Sequence, residues 1–355
     1  MAGYNDSAEG VLDSSTWMSF EDVLNIVYLT FGILGIAGNT LVLVVMIRVR
    51  SLRSKTIYFI INQSIIDLVS SICLIVTFNF TTKIDFSDWK NETWANLVCR
   101  FGESRYIFWS LLSCSTCNLI VLTLERYVAV VYPLVYRNRV TFKTAMVFVI
   151  LPWLVGFILQ LYWPVVHDID MHGNCSASFG NTNIQILLGI FVFLVKFLLP
   201  MLIMLVVYVA IIKKITSAPV IIHPETANPG TSSSNELPGQ QSSIYRNAKI
   251  NKLRLNILKT LFVVVLVFGL CWCPVQIWFL LYNLGIPSID VVGRNYKIAV
   301  IVVFISIWIN PVIYACKYKQ FQDGLKKTFC IAKTESSHID TSLATNSHPN
   351  NQRPQ

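Results

Sequence analysis

Charged side chains are scarce in this chain. Only 13% of its 355 residues are Asp, Glu, Lys or Arg, whereas 54% are hydrophobic, and the mean hydropathy is +0.58. Soluble domains carry about 25% charged residues, so this composition indicates that much of the surface faces lipid. The net charge of +9 does not indicate nucleic acid binding, because the Lys and Arg residues flank apolar runs instead of forming a basic patch on a soluble fold.

Groups that would support catalysis, metal binding or a cleaved leader are also lacking. The histidines are dispersed over predicted loops and the tail, so no enzymatic activity is predicted. The nine cysteines show no zinc-like spacing, and most lie in apolar segments. Residues 1–22 are polar and acidic, unlike a cleavable signal peptide, so the first apolar run is expected to direct insertion. The five histidines are His167, His172, His223, His338 and His348.

Seven apolar segments are long enough to cross a hydrocarbon layer about 30 Å thick as helices. The sequence therefore predicts an all-α membrane protein, a seven-transmembrane helix bundle. The segments cover approximately 23–47, 56–80, 100–132, 142–164, 185–214, 250–282 and 294–316.

The third segment has the composition of a helix at the centre of this bundle. From Tyr106 to Leu124 no side chain is charged, but small and weakly polar residues recur on every side of the predicted helix. Lipid-facing helices are mostly Leu, Ile, Val and Phe, whereas small polar residues suit contacts between helices. The charge-free run is followed by Glu125-Arg126-Tyr127, which places an acid–base pair at one mouth of the bundle.

Basic residues in the short connections predict the orientation. Lys and Arg concentrate in the connections after segments one, three, five and seven, so the N-terminus is predicted outside and the C-terminus inside, at the plasma membrane. Three glycosylation sequons, at Asn5, Asn91 and Asn174, fall on the predicted outer side. A fourth, at Asn79, is expected to lie too near the bilayer, and the match at Asn62 inside the second segment is interpreted as chance.

Segments outside the predicted helices differ from them in composition. One connection is rich in Ser, Pro, Asn and Gly and is predicted to be a flexible cytoplasmic loop. After the seventh segment, apolar residues recur at helical spacing among lysines, which predicts an amphipathic helix on membrane lipid, with Cys330 as a palmitoylation site. The predicted divisions are an extracellular tail at 1–22, the bundle at 23–316 with its loop at 217–245, the interfacial helix at 317–330 and a disordered cytoplasmic tail at 331–355.

Cys99 and Cys175 are the two cysteines near the predicted outer surface, and they are expected to form one disulfide.

Polar and helix-breaking residues lie in all seven segments, where a merely structural span would not need them. In this order they resemble the rhodopsin-like (class A) G-protein-coupled receptors of the peptide-receptor type. The resemblance covers Asn39 to about Phe321, with motifs that look like GN, NxxxxD, ERY, CWxP and NPxxY(x6)F. The residues that carry it are Asn39, Asp67, Ser115, Glu125-Arg126-Tyr127, Trp153, Pro200, Tyr208, Phe268, Cys271-Trp272-Cys273-Pro274, Asn310-Pro311 and Tyr314.

The resemblance implies a conformational switch that couples to a heterotrimeric G protein by outward movement of the sixth helix. Arg126 cannot be deprotonated, and Glu125 is its natural resting partner; Tyr208 and Tyr314 are expected to steady the arginine after its release. The alternative is that the two charges only mark the membrane boundary. A second lock through the sixth helix is not expected, because its cytoplasmic end carries Lys252, Arg254 and Lys259. The predicted switch residues are Glu125, Arg126, Tyr127, Tyr208, Phe268, Trp272, Pro274, Asn310, Pro311 and Tyr314.

The second segment contains a carboxylate, Asp67, that is costly to bury unless it is paired or neutral. The resemblance implies a cavity for an allosteric sodium ion around it; hydrogen bonds alone are the alternative. Gln63-Ser64 departs from the leucine-alanine pair that is usual in the family at this point. The residues implied for the sodium site are Asn39, Asp67, Ser115, Ser306 and Asn310.

Three positions narrow the ligand class. Amine receptors of the family place an aspartate where this chain has Phe108, and light-sensing members place a retinal-linked lysine where it has Phe304. Lys196 lies too deep in the fifth segment to reach the interface easily, so we expect it to bind an anionic ligand group; pairing with an internal group or a water cavity is the alternative. The predicted pocket residues are Phe108, Gln160, Lys196, Gln276, Trp278 and Tyr296.

The predicted outer surface, with its acidic N-terminus and its aromatic rim, favours a neuropeptide as the extracellular ligand. A lipid or small organic anion is the alternative, and a channel or transporter is the alternative from another class, although no internal repeat is evident. The resemblance also implies arrestin and kinases as partners of the tail. One departure from the family is that the Cys99-to-Arg126 interval is two residues longer than usual, which predicts a local alteration at the outer end of the third segment.

Overall fold

The computed structural model describes residues 18–49, 55–80, 84, 86–87, 89–216, 262–291 and 293–329. Several predictions concern positions outside these residues and stay predictions. They are the sequon at Asn5, most of the tail at 1–22, the loop at 217–245, the basic end of the sixth segment at Lys252, Arg254 and Lys259, Cys330, and the tail at 331–355.

Within the described part of the chain, seven helices are long and apolar enough to cross a membrane, which confirms the predicted bundle. The third helix begins at Glu92, earlier than the hydrophobic run predicted, because the short helix Glu92–Leu97 leads directly into it. We refer to the helices as spans 1 to 7. Their bounds are Phe20–Arg48, Lys55–Asn79, Glu92–Val131, Phe142–Val166, Thr182–Ile215, Phe262–Asn283 and Arg294–Lys317.

Four of the spans are built from several helical segments, and three of these segments are π-helices. A π-helix is rare and is often found at functional sites. The π-helices are Val76–Phe80 in span 2, Val98–Glu103 in span 3 and Leu194–Leu198 in span 5. The α-helical segments of spans 2 to 5 and the linker between spans 3 and 4 are Lys55–Ile75, Glu92–Leu97, Tyr106–Val131, Pro133–Arg139, Phe142–Leu159, Tyr162–Val166, Thr182–Phe193 and Leu199–Thr216.

Span 3 is the central helix. In its membrane-length window 61% of the residues are buried, against 22% in spans 4 and 5. Its small residues allow close approach: a Cβ added at Gly156 of span 4 would lie 2.4 Å from the Sγ of Cys114 in span 3. The predicted position of the third segment is therefore confirmed.

Spans 1 and 7 are joined through a carbonyl group that a proline leaves free. Pro311 has no backbone N–H, so the carbonyl of Ile307, four residues earlier, has no helical donor. The side chain of Asn39 in span 1 donates to that carbonyl at 3.0 Å and to the carbonyl of Gly35 at 2.9 Å. Asn39 thus replaces the hydrogen bond that Pro311 removes.

A disulfide marks one end of the bundle. Cys99 at the start of span 3 is bonded to Cys175, with the two Cα atoms 5.6 Å apart, which confirms the expected pair. Cys175 begins strand β2 (Cys175–Ala177), which pairs antiparallel with β1 (His167–Ile169) in the connection between spans 4 and 5. We call this the disulfide end, and the opposite end the Arg126 end.

The sequons within the described residues differ in accessibility. Asn91 and Asn174 are exposed and lie at the disulfide end. Asn91 caps the helix Glu92–Leu97 by accepting a hydrogen bond from the N–H of Trp94 at 3.2 Å. Asn62 is only 3% exposed inside span 2, where a glycan could not be attached.

A further helix, residues 319–329, follows span 7. Phe321 is buried against the bundle, whereas Phe329 is 61% exposed. Tyr318, between the two helices, packs its ring 6.3 Å from that of Tyr314. The predicted amphipathic helix after the seventh span is therefore present.

Candidate functional site

At the Arg126 end, two charged side chains from adjacent residues of span 3 pair with each other. The Nε and one Nη of Arg126 donate to the two carboxylate oxygens of Glu125, both at 2.6 Å. Arg126 is 8% exposed and Glu125 is 9% exposed. A two-pronged bond of this kind is the strongest form of arginine–carboxylate contact, so the guanidinium is held by its own helix.

Two further groups, which the sequence alone did not indicate, hold Glu125 in place. Thr56 of span 2 donates to its Oε1 at 3.2 Å, and the hydroxyl of Tyr136, on the linker helix Pro133–Arg139, donates to the same oxygen. Burial, together with the neighbouring carboxylate, raises the pKa of Tyr136. Lys55 fixes the linker by donating to the carbonyl of Val140 and by lying 5.1 Å from the Tyr136 ring centroid.

The predicted switch tyrosines differ in their packing. Tyr208 is buried on span 5 and packs edge-on against Phe262 of span 6. Tyr314 is buried on span 7, and its hydroxyl has no hydrogen-bond partner within the described part of the chain. Tyr127 instead packs its ring 5.9 Å from that of Tyr132. Burial raises the pKa of Tyr318, close to Arg126, to about 12, so this phenol stays neutral.

Asp67, in the middle of the bundle, is only 1% exposed and accepts hydrogen bonds from three helices. Asn310 of span 7 donates to its Oδ2 at 2.9 Å, and Ser115 of span 3 donates to its Oδ1 at 3.1 Å. The Nε2 of Gln63, one turn earlier in span 2, lies 3.1 and 3.2 Å from the two oxygens. Gln63 Nε2 also donates to the Oγ of Ser115.

Two of the five residues that the resemblance assigned to this cluster donate their hydrogen bonds to groups other than Asp67. Asn39 donates to backbone carbonyls of spans 1 and 7, and Ser306 donates to the carbonyl of Val303 at 2.7 Å. Gln63, which the sequence marked only as a departure from the family pattern, takes a direct part. Among the described residues, no group of three His, Cys, Asp or Glu side chains could hold a metal ion.

Near the disulfide end, a small cavity of about 30 Å³ opens beside Lys196. That volume fits about one water molecule. Lys196 is 8% exposed, and its Nζ lies 5.6 Å from the ring centroid of Tyr162. No carboxylate of the described residues is within 4.0 Å of it. The walls are formed by Trp109, Tyr162, Trp163, Val192, Lys196, Trp272, Val275, Gln276, Phe279 and Tyr296.

A second cavity lies deeper, between spans 3, 4 and 5, and shares Lys196 and Trp272 with the first. Its volume is about 230 Å³, and its walls are almost wholly apolar. Trp272 is buried and packs its ring 5.5 Å from that of Phe268, one turn nearer the Arg126 end. The remaining wall residues are Ser113, Thr116, Cys117, Ile120, Val155, Leu159, Val195, Leu199, Pro200 and Ile203.

Half of the predicted pocket residues line the small cavity, namely Lys196, Gln276 and Tyr296. The other three do not line this cavity, and their contact with a ligand stays a prediction. Phe108 is enclosed by aromatic rings, Gln160 donates to Ser113 and to the Trp109 carbonyl, and Trp278 donates to the carbonyl of Asp290 at the rim. The sequence indicated depth along each helix but not which way each side chain turns.

The backbone around Lys196 is altered by the proline that follows. Pro200 cannot donate to the carbonyl of Lys196, four residues earlier, and this stretch of span 5 is the π-helix Leu194–Leu198. A π-helix widens the turn and shifts the direction of the side chains beyond it. The unusual backbone therefore coincides with the residue predicted to bind a ligand.

The start of span 3 differs from a continuous α-helix, in the region where the longer Cys99-to-Arg126 interval predicted a local alteration. The π-helix Val98–Glu103 ends at Ser104, and Arg105 has a left-handed backbone with φ of 57° before the helix Tyr106–Val131 begins. The guanidinium of Arg105 lies 4.1 Å from the ring centroid of Phe78 in span 2. This cation–π contact offsets part of the backbone strain.

Comparison with known proteins agrees with this architecture. A family model described as 7 transmembrane receptor (rhodopsin family) matches residues 38–314. The chain is 28% identical to the D(1A) dopamine receptor of Xenopus laevis, over 86% of this chain and 72% of that protein. It is 24% identical to the cholecystokinin receptor type A of Homo sapiens, over 89% and 82%, and 24% identical to the substance-P receptor of Aquarana catesbeiana, over 86% and 70%.

The family match runs from the second half of span 1 almost to the end of span 7, and it includes Glu125, Arg126 and Asp67. Members of this family are multi-pass receptors of the plasma membrane that signal through G proteins, and they are not enzymes. This chain belongs to the rhodopsin family of seven-transmembrane receptors.

Proposed function

We propose that this receptor binds an extracellular ligand with an anionic group at the disulfide end and activates a heterotrimeric G protein at the Arg126 end. The observation that carries the proposal is the contrast between a buried arginine with a partner on its own helix and a buried lysine that faces a cavity. The orientation is supported by the exposed sequons Asn91 and Asn174 at the disulfide end.

The switch works by exchanging the partners of Arg126. In the resting state, Glu125 occupies the guanidinium, while Thr56 and Tyr136 hold that carboxylate. Release lets Arg126 turn toward the bundle axis and meet an inserted G-protein helix. The hydroxyl of Tyr314, which is buried without a described partner, is available to hold it there.

Span 6 links the cavity to this switch. Trp272 forms part of both cavity walls and packs against Phe268 toward the Arg126 end. Pro274 lacks a backbone donor, so span 6 can bend at the carbonyl of Leu270. A ligand that displaces Trp272 therefore favours an outward swing of the far end of span 6, a hinge motion between two packings.

The receptor function is tested by Arg126→Ala. We expect the variant to reach the cell surface and to keep ligand affinity within a few-fold, because Arg126 lines neither cavity. Ligand-stimulated nucleotide exchange on the G protein should be lost. Arg137→Ala, an exposed cation on the linker helix, is the matched control and should leave exchange intact. Undiminished exchange in Arg126→Ala would contradict the proposed switch.

A peptide is the ligand class that the relatives support. Cholecystokinin, substance-P and galanin receptors are among the similar proteins. Dopamine and octopamine receptors are also among them, but they do not favour an amine here. Phe108, which stands at the amine-binding position, is buried edge-on against Phe304 and Phe78 at 5.2 and 5.4 Å. A peptide carboxylate can instead pair with the Lys196 ammonium, which has no carboxylate partner among the described residues.

A lipid-like carboxylate is the second candidate, favoured by the deeper cavity. Its volume of about 230 Å³ and its apolar walls suit a hydrocarbon tail whose head group meets Lys196. Ile120 and Val155 lie in these walls but do not line the small cavity. The two candidates therefore share the anionic head and differ in where the rest of the ligand lies.

Three variants test these candidates in a screen of peptides and long-chain carboxylic acids: two at Lys196 test the anionic group, and one at Ile120 distinguishes the two ligand classes. Lys196→Met should weaken any carboxylate agonist at least tenfold, as expected when one partner of a desolvated charge pair is lost, whereas Lys196→Arg should keep most of the potency. Ile120→Trp fills the deeper cavity and should weaken only a lipid-like agonist. If no anionic agonist loses potency in Lys196→Met, the proposed role of this lysine is wrong.

A further inference from the structure

We propose that the side-chain amide of Gln63 takes the place of a cation beside Asp67, so that the resting state of this receptor does not depend on sodium. The resemblance to the family implies a sodium ion at this carboxylate. The donor set around Asp67 can be tested for that fit, because sodium requires oxygen lone pairs whereas the amide presents hydrogens.

Both oxygens of the Asp67 carboxylate already accept hydrogen bonds from side chains. Oδ1 accepts from Ser115 Oγ at 3.1 Å and from Gln63 Nε2 at 3.1 Å. Oδ2 accepts from Asn310 Nδ2 at 2.9 Å and from Gln63 Nε2 at 3.2 Å. The Gln63 amide nitrogen therefore stands between the two oxygens, the position from which a cation would coordinate both.

The Ser115 hydroxyl, a second oxygen that a cation would use, is also engaged. Its hydrogen points to Asp67, and its oxygen accepts from Gln63 Nε2. A sodium ion beside this pair would have to displace the amide and break its contacts with Asp67 and Ser115 together. The residues present therefore do not fit a sodium ion while Gln63 stays in place.

The orientation of the Gln63 amide is set by a chain of hydrogen bonds across spans 2, 3 and 4. Asn118 Nδ2 donates to Gln63 Oε1 at 2.8 Å and to the Phe59 carbonyl at 3.0 Å. Asn62 Nδ2 donates to Asn118 Oδ1 at 2.8 Å, and Trp153 Nε1, which can only donate, points to Asn62 Oδ1 at 3.0 Å. Because the indole can only donate, it fixes the orientation of each side-chain amide in this series of hydrogen bonds.

Exchanging the oxygen and nitrogen positions of the Gln63 amide would create two unfavourable contacts, one between two acceptors and one between two donors. Its oxygen would face the Asp67 carboxylate, and its nitrogen would face the Asn118 nitrogen. Gln63 and Asn118 are each less than 1% exposed, so water cannot compensate for these losses. Gln63 therefore cannot offer its oxygen to a cation unless the buried Asn118 and Asn62 and the half-buried Trp153 rearrange with it.

The consequence concerns regulation. The Gln63 amide ties spans 2 and 3 to the Asp67–Asn310 contact with span 7. A covalently attached amide performs this task at any ion concentration, whereas a bound ion performs it only when sodium is present. The balance between resting and signalling packings is thus set by the chain itself.

The test uses the full-length receptor in lipid nanodiscs, with NaCl compared with N-methyl-D-glucamine chloride at equal ionic strength. The midpoint of thermal unfolding and the basal nucleotide exchange of an added G protein are measured. We expect no difference between the two salts for the wild type. Gln63→Leu frees the Ser115 oxygen and the space beside Asp67, so sodium should raise its unfolding midpoint by several degrees and lower its basal exchange several-fold.

Two further variants make the result decisive. Gln63→Leu/Asp67→Asn lacks the carboxylate and should lose the sodium response, and Gln63→Met serves if the leucine variant does not fold. A sodium-dependent midpoint in the wild type that disappears in Asp67→Asn overturns the proposal. So does a folded Gln63 variant without any sodium response, since the amide would then not be what excludes the ion. The unfolding midpoint reads ion binding even if no G protein couples.

Discussion

Arg126 and Lys196 are two buried cations at opposite ends of one bundle, and each is 8% exposed. Arg126 has a carboxylate at 2.6 Å on the adjacent residue, and that carboxylate has two further donors. Lys196 has the face of Tyr162 at 5.6 Å and a cavity on either side. The chain supplies a charge partner for Arg126, but the described residues supply no carboxylate for Lys196.

The comparison of the two cations shows how the desolvation cost of a buried charge can favour either the resting packing or ligand binding. A buried ion costs several kcal/mol unless a partner compensates it. At the Arg126 end the partner is part of the chain, so the resting packing is favoured when no ligand is present. At the Lys196 end the missing partner can come from outside, so binding recovers a cost that the empty receptor carries.

The largest expected effect comes from removing the internal partner. Glu125→Gln leaves the Arg126 guanidinium without a carboxylate, which costs about 3–5 kcal/mol in a buried pair. We expect the unfolding midpoint of the unliganded receptor to fall and basal nucleotide exchange to rise more than tenfold. If neither the unfolding midpoint nor basal exchange changes, the proposed switch is wrong, and the two charges only mark the membrane boundary.

A smaller effect, opposite in sign, is expected at the other end. Lys196→Met removes a buried cation that has no carboxylate within 4.0 Å among the described residues, and it keeps the length of the side chain. We expect the buried cation to cost about 1–3 kcal/mol, because its ring contact with Tyr162 replaces only part of its hydration. The unfolding midpoint of the unliganded variant should therefore rise. Lys214→Met, an exposed position on the same span, is the control and should leave the midpoint unchanged. A fall in Lys196→Met would reveal an internal partner for the lysine.

The smallest effect is expected from Tyr136→Phe. The variant removes one donor to Glu125 but keeps Thr56 and Arg126. Loss of a single hydrogen bond is worth about 1 kcal/mol, so basal exchange should rise roughly fivefold, less than in Glu125→Gln. The double variant measures the coupling: if Tyr136 acts through Glu125, adding Tyr136→Phe to Glu125→Gln should add little.

The motif residues show how far a sequence can be read. Arg126 and Glu125 are neighbours in the chain, so their pairing could be predicted from their positions alone. Tyr136 and Thr56 are ordinary residues in the sequence, and only the packing of the linker helix and span 2 brings them to Glu125. Gln63 was visible as a departure from the family pattern, but its contact with both oxygens of Asp67 depends on the rotation of span 2.

The sequence by itself determined the seven spans, because a helix in lipid must satisfy its backbone within its own segment and must be apolar along its length. It also indicated the central position of span 3 and the depth of Lys196. Only the tertiary structure decided which side chains meet, namely Gln63 with Asp67, Tyr136 with Glu125, and Asn39 with the carbonyl that Pro311 frees. Such contacts depend on the rotation and tilt of whole helices against one another, which no local pattern of residues specifies.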